Sequence, residues 1–173
     1  MPESRTNLEF REFLEALHRE KVAMIIVGGF AGVLHGYSYI TNDLDICYQR
    51  DKQNYKNMVR ALRPFKPRLR GPKGEGIPFL FDEKTIQNGM NFTLTTDVGD
   101  IDLLGELSGI GGYEQLIQAV KKSDLYGLEL NVISLDDLIR AKKAAGRRKD
   151  LLHLDELEAL KLMIEKNLMP DKD

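Results

Sequence analysis

Two aspartates one residue apart, Asp43 and Asp45 in Thr41-Asn42-Asp43-Leu44-Asp45-Ile46, are the side chains of this sequence best placed to do chemistry. On a strand, side chains alternate, so both carboxylates leave the same side. Two such groups repel each other unless a cation lies between them, and hard oxygen ligands at short spacing suit Mg²⁺ better than a thiolate-seeking metal. Thirteen residues separate Asp43 from the glycine pair Gly28-Gly29, which directly follows the apolar run Val22 to Val27. A glycine pair lets backbone approach a ligand closely, and the helix expected after it offers its first amides to a phosphate. A second acidic pair lies in Gly99-Asp100-Ile101-Asp102-Leu103-Leu104. As a strand, this places Asp100 and Asp102 on one face and Ile101 and Leu103 on the other. An acid from here, beside the first pair, makes a three-carboxylate site able to hold two divalent cations on a triphosphate. The plainer reading makes Asp100 and Asp102 the wet face of an amphipathic strand.

The elements that must position these groups can be read from periodicity. Phe10, Phe13, Leu14 and Leu17 recur at helical spacing after a capping box at Thr6 to Glu9, predicting a helix over 7–20. Strands are expected at 22–27 and 43–48 with a short helix at 30–36 between them. A helix at 51–63 is capped by Asp51 and turns Tyr55, Met58, Val59 and Leu62 inward, and Pro64 ends it. The stretch from Pro64 to Pro78 is rich in proline and glycine and reads as an irregular loop. Strands at 92–96 and 98–104 form a hairpin around Asp97 to Gly99, and Asn88 to Asn91 reads as a turn. Beyond them come a helix at 112–122, a strand at 128–133, and a helix opened by Ser134 with Asp137 that runs to Ala145. A last helix over 150–166 is capped by Asp150 and buries Leu151, Leu154, Leu157, Leu160 and Ile164. The tail from about 167, with Pro170, is expected to fray. The fold class is thus α/β (α+β), a small mixed sheet flanked by helices.

At 173 residues and 42% hydrophobic, the chain is long enough for one sizeable core, and a single domain over 1–173 is expected. A net charge of -2 argues against a wholesale polyanion binder. The one cysteine, Cys47, excludes a disulfide within the chain and reads as a small buried residue. No signal peptide or long apolar span is visible, so a cytoplasmic protein with no membrane partner is expected.

The order of strand, Gly-Gly, short helix, Asp-x-Asp on the next strand and a further Asp on a later strand resembles the nucleotidyltransferases of the DNA polymerase β superfamily. More closely, Val27 to Ile46, Gly99 to Gly105 and Ala141 to Leu154 together are similar to the small bacterial AbiEii-type toxins and minimal nucleotidyltransferases, a likeness running from about residue 8 to 155. The resemblance implies Mg²⁺ as cofactor, as two ions, and a nucleoside triphosphate as substrate. Asp43 and Asp45 would be the metal-binding pair, and Asp102 the third carboxylate, sharing a metal and accepting a proton from the attacking hydroxyl. Gly28 and Gly29 would hold the β- and γ-phosphates, and Thr41 matches a threonine these proteins often carry. In the family's basic signature, Lys142, Arg148 and Lys149 are the matching positions for nucleotide binding. One departure stands out: many relatives have an arginine where this chain has Tyr39, so triphosphate charge must be met from elsewhere. The implied acceptor is an RNA end such as that of transfer RNA, or a protein hydroxyl, with a small-molecule antibiotic as a third choice. The toxin-like resemblance also implies a possible cognate antitoxin as partner.

Other readings of the same residues stay open. Lys142, Arg148 and Lys149 can equally be a solvated helix end, with Gly146 as the stop. Arg63, Lys66, Arg68, Arg70 and Lys73 form a second basic cluster, either a grip on an RNA backbone or a surface loop. His35 lies near the glycine pair but reads better as a helix-surface residue. The whole can also be a non-catalytic nucleotide- or RNA-binding module, or a nuclease. A carboxylate-rich nuclease, however, has no need of the Gly28-Gly29 turn.

Overall fold

A computed structural model of the chain describes residues 5–38, 40–72 and 77–168. Tyr39, the Lys73 to Gly76 part of the proline- and glycine-rich segment, and the end of the chain from Met169, where fraying is expected, lie outside the described residues. A mixed seven-stranded sheet in the order β3-β4-β5-β2-β1-β9-β8 forms the frame. Its strands are β1 (Met24–Val27), β2 (Asp43–Tyr48), β3 (Arg68–Leu69), β4 (Asn91–Thr96), β5 (Gly99–Leu104), β8 (Lys121–Leu125) and β9 (Leu128–Val132). A small ribbon of β6 (Glu106–Leu107) and β7 (Gly111–Gly112) stands apart. β2 runs parallel to β5 and β1 parallel to β9, and the other pairings are antiparallel. The expected mixed sheet flanked by helices is what the chain adopts.

Alternation along β2 and β5 builds the core. Leu44, Ile46, Ile101 and Leu103 are fully buried, in one cluster with Phe10, Phe13, Leu14 and Leu17 of α1 (Arg5–Arg19) and Tyr55, Met58, Val59 and Leu62 of α3 (Lys52–Leu62). The intervening aspartates leave by the other face. Asp51 caps α3 as expected, accepting from the Asn54 amide. Asn54, itself buried, is a staple: its Oδ1 accepts from the Ala23 amide at 2.7 Å and its Nδ2 donates to the carbonyls of Ala23 and Gln49. The ends of β1 and β2 are thereby fixed to the helix.

Four expectations are corrected. The helix expected over 112–122 breaks early into α5 (Tyr113–Leu116) and a 3-10 turn (Ile117–Ala119), and Lys121–Leu125 is an edge strand. Tyr126 and Gly127, at φ of 54° and 75°, make the tight turn that pairs β8 with β9. Lys121, Lys122 and Asp124 are exposed on a sheet edge, where charge is favoured. Within the supposed loop after Pro64, Arg68 and Leu69 pair with Thr95 and Leu94 as β3. Asp82 caps a short helix, α4 (Glu83–Asn88), that periodicity did not reveal. Finally, α7 (Arg148–Leu168) starts two residues before Asp150, which is therefore not its cap, and Leu151 is exposed while Leu157 is the buried residue. Among the described residues no helix is long and apolar enough to cross a membrane.

Candidate active site

Strand register alone assembles the acids. In the parallel pair β2 and β5, Asp43 lies opposite Asp100 and Asp45 opposite Asp102. Opposed residues share a face, so all four carboxylates stand on one side of the sheet. Ligand oxygens of Asp43, Asp45 and Asp102 lie within 4.8 Å of one another. Asp100 is held elsewhere, accepting a 2.6 Å hydrogen bond from the Thr95 hydroxyl on β4.

The triad is under electrostatic tension. Burial, followed by the charges of Asp102 and Asp43, pushes the Asp45 carboxyl up to about 8. Burial also raises Asp102 above the usual carboxylate range, against the pull of Arg70. Asp45 Oδ1 is buried and has no hydrogen-bond partner. An all-oxygen set with an orphaned buried carboxylate oxygen fits a hard divalent cation, which relieves both the repulsion and the missing partner. The same tension sets a pH dependence. The ordinary value of Asp45 is 3.8, so below about pH 4 the group is neutral in both folded and unfolded chains. Between about 4 and about 8 the unfolded chain has released a proton that the folded chain retains, and stability falls as pH rises. In EDTA, the melting-temperature advantage of Asp45→Asn over the native chain is expected to grow across that window. An advantage that stays constant from pH 5 to 8 would remove the basis for the tension.

Gly28 opens α2 (Gly28–Leu34) directly after β1, at a φ of +67°. A β-carbon built there would lie 2.0 Å from Asp45 Oδ2, so the close approach demanded by the glycine is to an acid of the triad. Gly29, beside it, is half-buried in the same short helix. Thr41 donates its hydroxyl to the Asp43 carbonyl at 3.0 Å, fixing the chain as it enters β2. His35 neither lines the site nor faces water alone. Its Nε2 donates to the Ile133 carbonyl at 2.7 Å, tying the end of α2 to the end of β9, and burial pulls it below its ordinary range.

Gly28 and Asp45 form one wall of a cavity of about 380 Å³, with Glu106 and Ser108 beside the small ribbon and Lys142, Arg147 and Asp150 on the wall made by α6 (Leu135–Ala145) and the start of α7. Gly146, at a φ of +62°, ends α6 and turns the chain so that Arg147 and Asp150 meet Lys142. Asp150 is buried and accepts from Arg147 Nε at 2.6 Å, with Lys142 Nζ 3.7 Å away. Burial alone would raise Asp150, but Arg147 and Lys142 outweigh it and hold it below the usual carboxylate range. Of the basic residues singled out from the sequence, Lys142 reaches the cavity, whereas Arg148 and Lys149 are exposed and are not among its lining residues. Arg147, which the sequence did not mark, lines it. Cys47 is buried as expected, and burial pushes its thiol up to about 12, which leaves it unreactive.

The second basic cluster does not act as a unit. Arg63 donates to the Phe81 carbonyl, Arg68 pairs with Asp97 at the surface, and Arg70 turns inward onto the acids. The alternation Arg68-Leu69-Arg70 agrees with this once the strand is known, since a strand there sends both arginines to one face, but it is too short to announce a strand by itself.

No family model matches the chain, and no curated protein matches it in sequence. Among solved structures it is similar to the lincosamide antibiotic adenylyltransferase LnuA in its lincomycin-bound form, with a TM-score of 0.58 and 15% identity over 88% of this chain and 96% of that one. It is also similar to a Thermotoga maritima protein named as a candidate nucleotidyltransferase, with a TM-score of 0.50 and 16% identity over 91% of each chain. At such identities the likeness speaks to architecture, and it shows that this chain has the nucleotidyltransferase fold.

Proposed function

We propose that the protein is a divalent-metal-dependent nucleotidyltransferase, a single domain that moves a nucleoside monophosphate from a nucleoside triphosphate to an acceptor hydroxyl. The observation that carries this reading is the convergence of Asp43, Asp45 and Asp102, of which Asp45 lines a cavity that Lys142 and Arg147 also line. Asp43, Asp45 and Asp102 would hold Mg²⁺, as two ions, whose chemistry is to offset charge on the attacking and leaving oxygens. The acceptor oxygen bonds to the α-phosphorus as the bond to the bridging oxygen breaks, and pyrophosphate leaves with that electron pair. Asp102 takes the acceptor's proton. Gly28, Gly29 and Thr41 border the β- and γ-phosphates, and Lys142 supplies positive charge to them, joined by Arg147 in the place expected of Arg148 and Lys149.

For the acceptor, the resemblance to toxin-type enzymes favours an RNA end or a protein hydroxyl, with a cognate antitoxin as partner. A small-molecule acceptor is a second reading, favoured by the likeness to LnuA over nearly all of that chain. The test is to incubate the chain with each α-labelled triphosphate and Mg²⁺ in the presence of transfer RNA, protein, or small hydroxyl compounds such as lincosamides. Label on one acceptor class identifies the substrate. Triphosphate binding with no transfer to any of them leaves the non-catalytic binding module.

Asp100 and Asp102 separate in the same assay. Because Asp102 belongs to the triad and Asp100 is engaged by Thr95, Asp102→Asn is expected to abolish transfer, whereas Asp100→Asn lowers it only several-fold, about tenfold at most. The opposite order, read from initial rates, would remove Asp102 from the metal set.

A further inference from the structure

Arg70 lies one residue past β3, its amide donating to the Thr93 carbonyl at 3.0 Å, so it continues the sheet row that runs through Thr93, Asp102 and Asp45. Its guanidinium reaches three carboxylates at once: Asp43 at 3.4 Å through one terminal nitrogen, Asp102 at 2.8 Å through the other, and Asp100 at 3.3 Å through Nε. A 2.6 Å hydrogen bond from the guanidinium to the Leu94 carbonyl anchors it. The side chain is 23% exposed, so these contacts are only partly screened by water. Two of the three carboxylates belong to the proposed metal triad, and Asp100 does not. A cation is thus already built into the site, carried by the edge of the sheet on the side of the triad away from Gly28.

Resting on the transferase reading, we propose that Arg70 is a gate on the metal site: it competes with a free divalent ion for Asp43 and Asp102, and yields when the ion arrives with a polyphosphate whose oxygens take over the guanidinium. The physical reason is a difference in exchange. A bare ion entering the triad must displace Arg70 from Asp43 and Asp102 and leave its planar set of donors with Asp100 and the Leu94 carbonyl. An ion carrying a triphosphate brings anionic oxygens that match the same donors in pairs. The site is thereby selective for the metal–polyphosphate complex over the metal. Arg70 also answers where triphosphate charge is met in a chain that has Tyr39 in place of an arginine.

The test is calorimetric titration of Mn²⁺ into the native chain and R70Q, each with and without inorganic tripolyphosphate. R70Q is expected to bind Mn²⁺ alone about tenfold more tightly, and the gain in Mn²⁺ affinity from tripolyphosphate is expected to shrink by about tenfold. Mn²⁺ affinity that is unchanged or weaker in R70Q overturns the proposal, as does a tripolyphosphate effect that survives intact. Should R70Q not fold, R70K serves: its compact ammonium cannot span three carboxylates, so it is expected to shift both quantities in the same direction by a smaller factor, and no shift overturns the gate. These titrations read metal binding without turnover. Tightened Mn²⁺ binding in R70Q together with no transfer by the native chain defeats the transferase reading alone, whereas transfer by the native chain with no change in R70Q defeats the gate alone.

Discussion

Asp43→Asn and Asp45→Asn are each expected to lower Mg²⁺-dependent transfer by about two to four orders of magnitude, while the protein remains folded. The substitution keeps volume and removes charge. In the native chain Asp45 is half-buried beside Asp43 and Asp102, and its buried Oδ1 finds no hydrogen-bond donor. A neutral amide in that place ends the repulsion, so Asp45→Asn should melt at or above the native temperature when metal is chelated. The same charge is what a divalent cation needs, and its loss should remove metal binding. Stability rising as activity vanishes is the signature of an acid retained for chemistry at a cost in stability. Rates from labelled-nucleotide incorporation and melting curves in EDTA on the same samples check both halves. Activity within tenfold of native in both variants would end the two-metal proposal, and a large fall in melting temperature would show these acids to be structural.

Much of this site was legible in the sequence because β-structure makes position a matter of counting. Asp43 and Asp45 had to share a face if 43–48 was a strand, and Asp100 and Asp102 likewise. What counting within one strand cannot give is which strands are neighbours. The parallel pairing that puts Asp45 opposite Asp102 arises from long-range packing of Leu44, Ile46, Ile101 and Leu103 under α1 and α3. Arg70 was hidden for a different reason. A two-residue strand among prolines and glycines has too few residues to show a period, and its pairing with β4 is decided by the edge left open beside β4. Arg147 escaped because its role depends on the left-handed turn at Gly146, which swings the start of α7 back over Lys142. Asp150 read as a helix cap by residue type alone, yet its burial between two cations makes it the group that holds them in place.

Gly28→Ala carries the second large expectation, a loss of stability on the order of 2–4 kcal/mol together with loss of metal-dependent activity. Two causes act on one atom. The backbone at Gly28 has a φ of +67°, which L-residues adopt at a penalty, and the new β-carbon would lie 2.0 Å from Asp45 Oδ2 and 2.9 Å from its Cβ. α2 begins at this residue and β2 is locked between β1 and β5, so neither backbone can retreat without breaking pairs. The side chain of Asp45 must rotate away, and the triad loses a member. A glycine kept only so that a phosphate could approach would tolerate the methyl in the ligand-free fold; this one would not. A double-mutant cycle with Asp45→Ala isolates the contact with the carboxylate, because that substitution removes the carboxylate and leaves in place the φ penalty and the 2.9 Å approach to Cβ. Urea unfolding of the four proteins should show the double variant more stable than the sum of the single effects by about 1 kcal/mol or more. Strict additivity would mean that the Asp45 carboxylate takes no part in the cost, and native stability in Gly28→Ala would mean that Gly28 does not press on Asp45 at all.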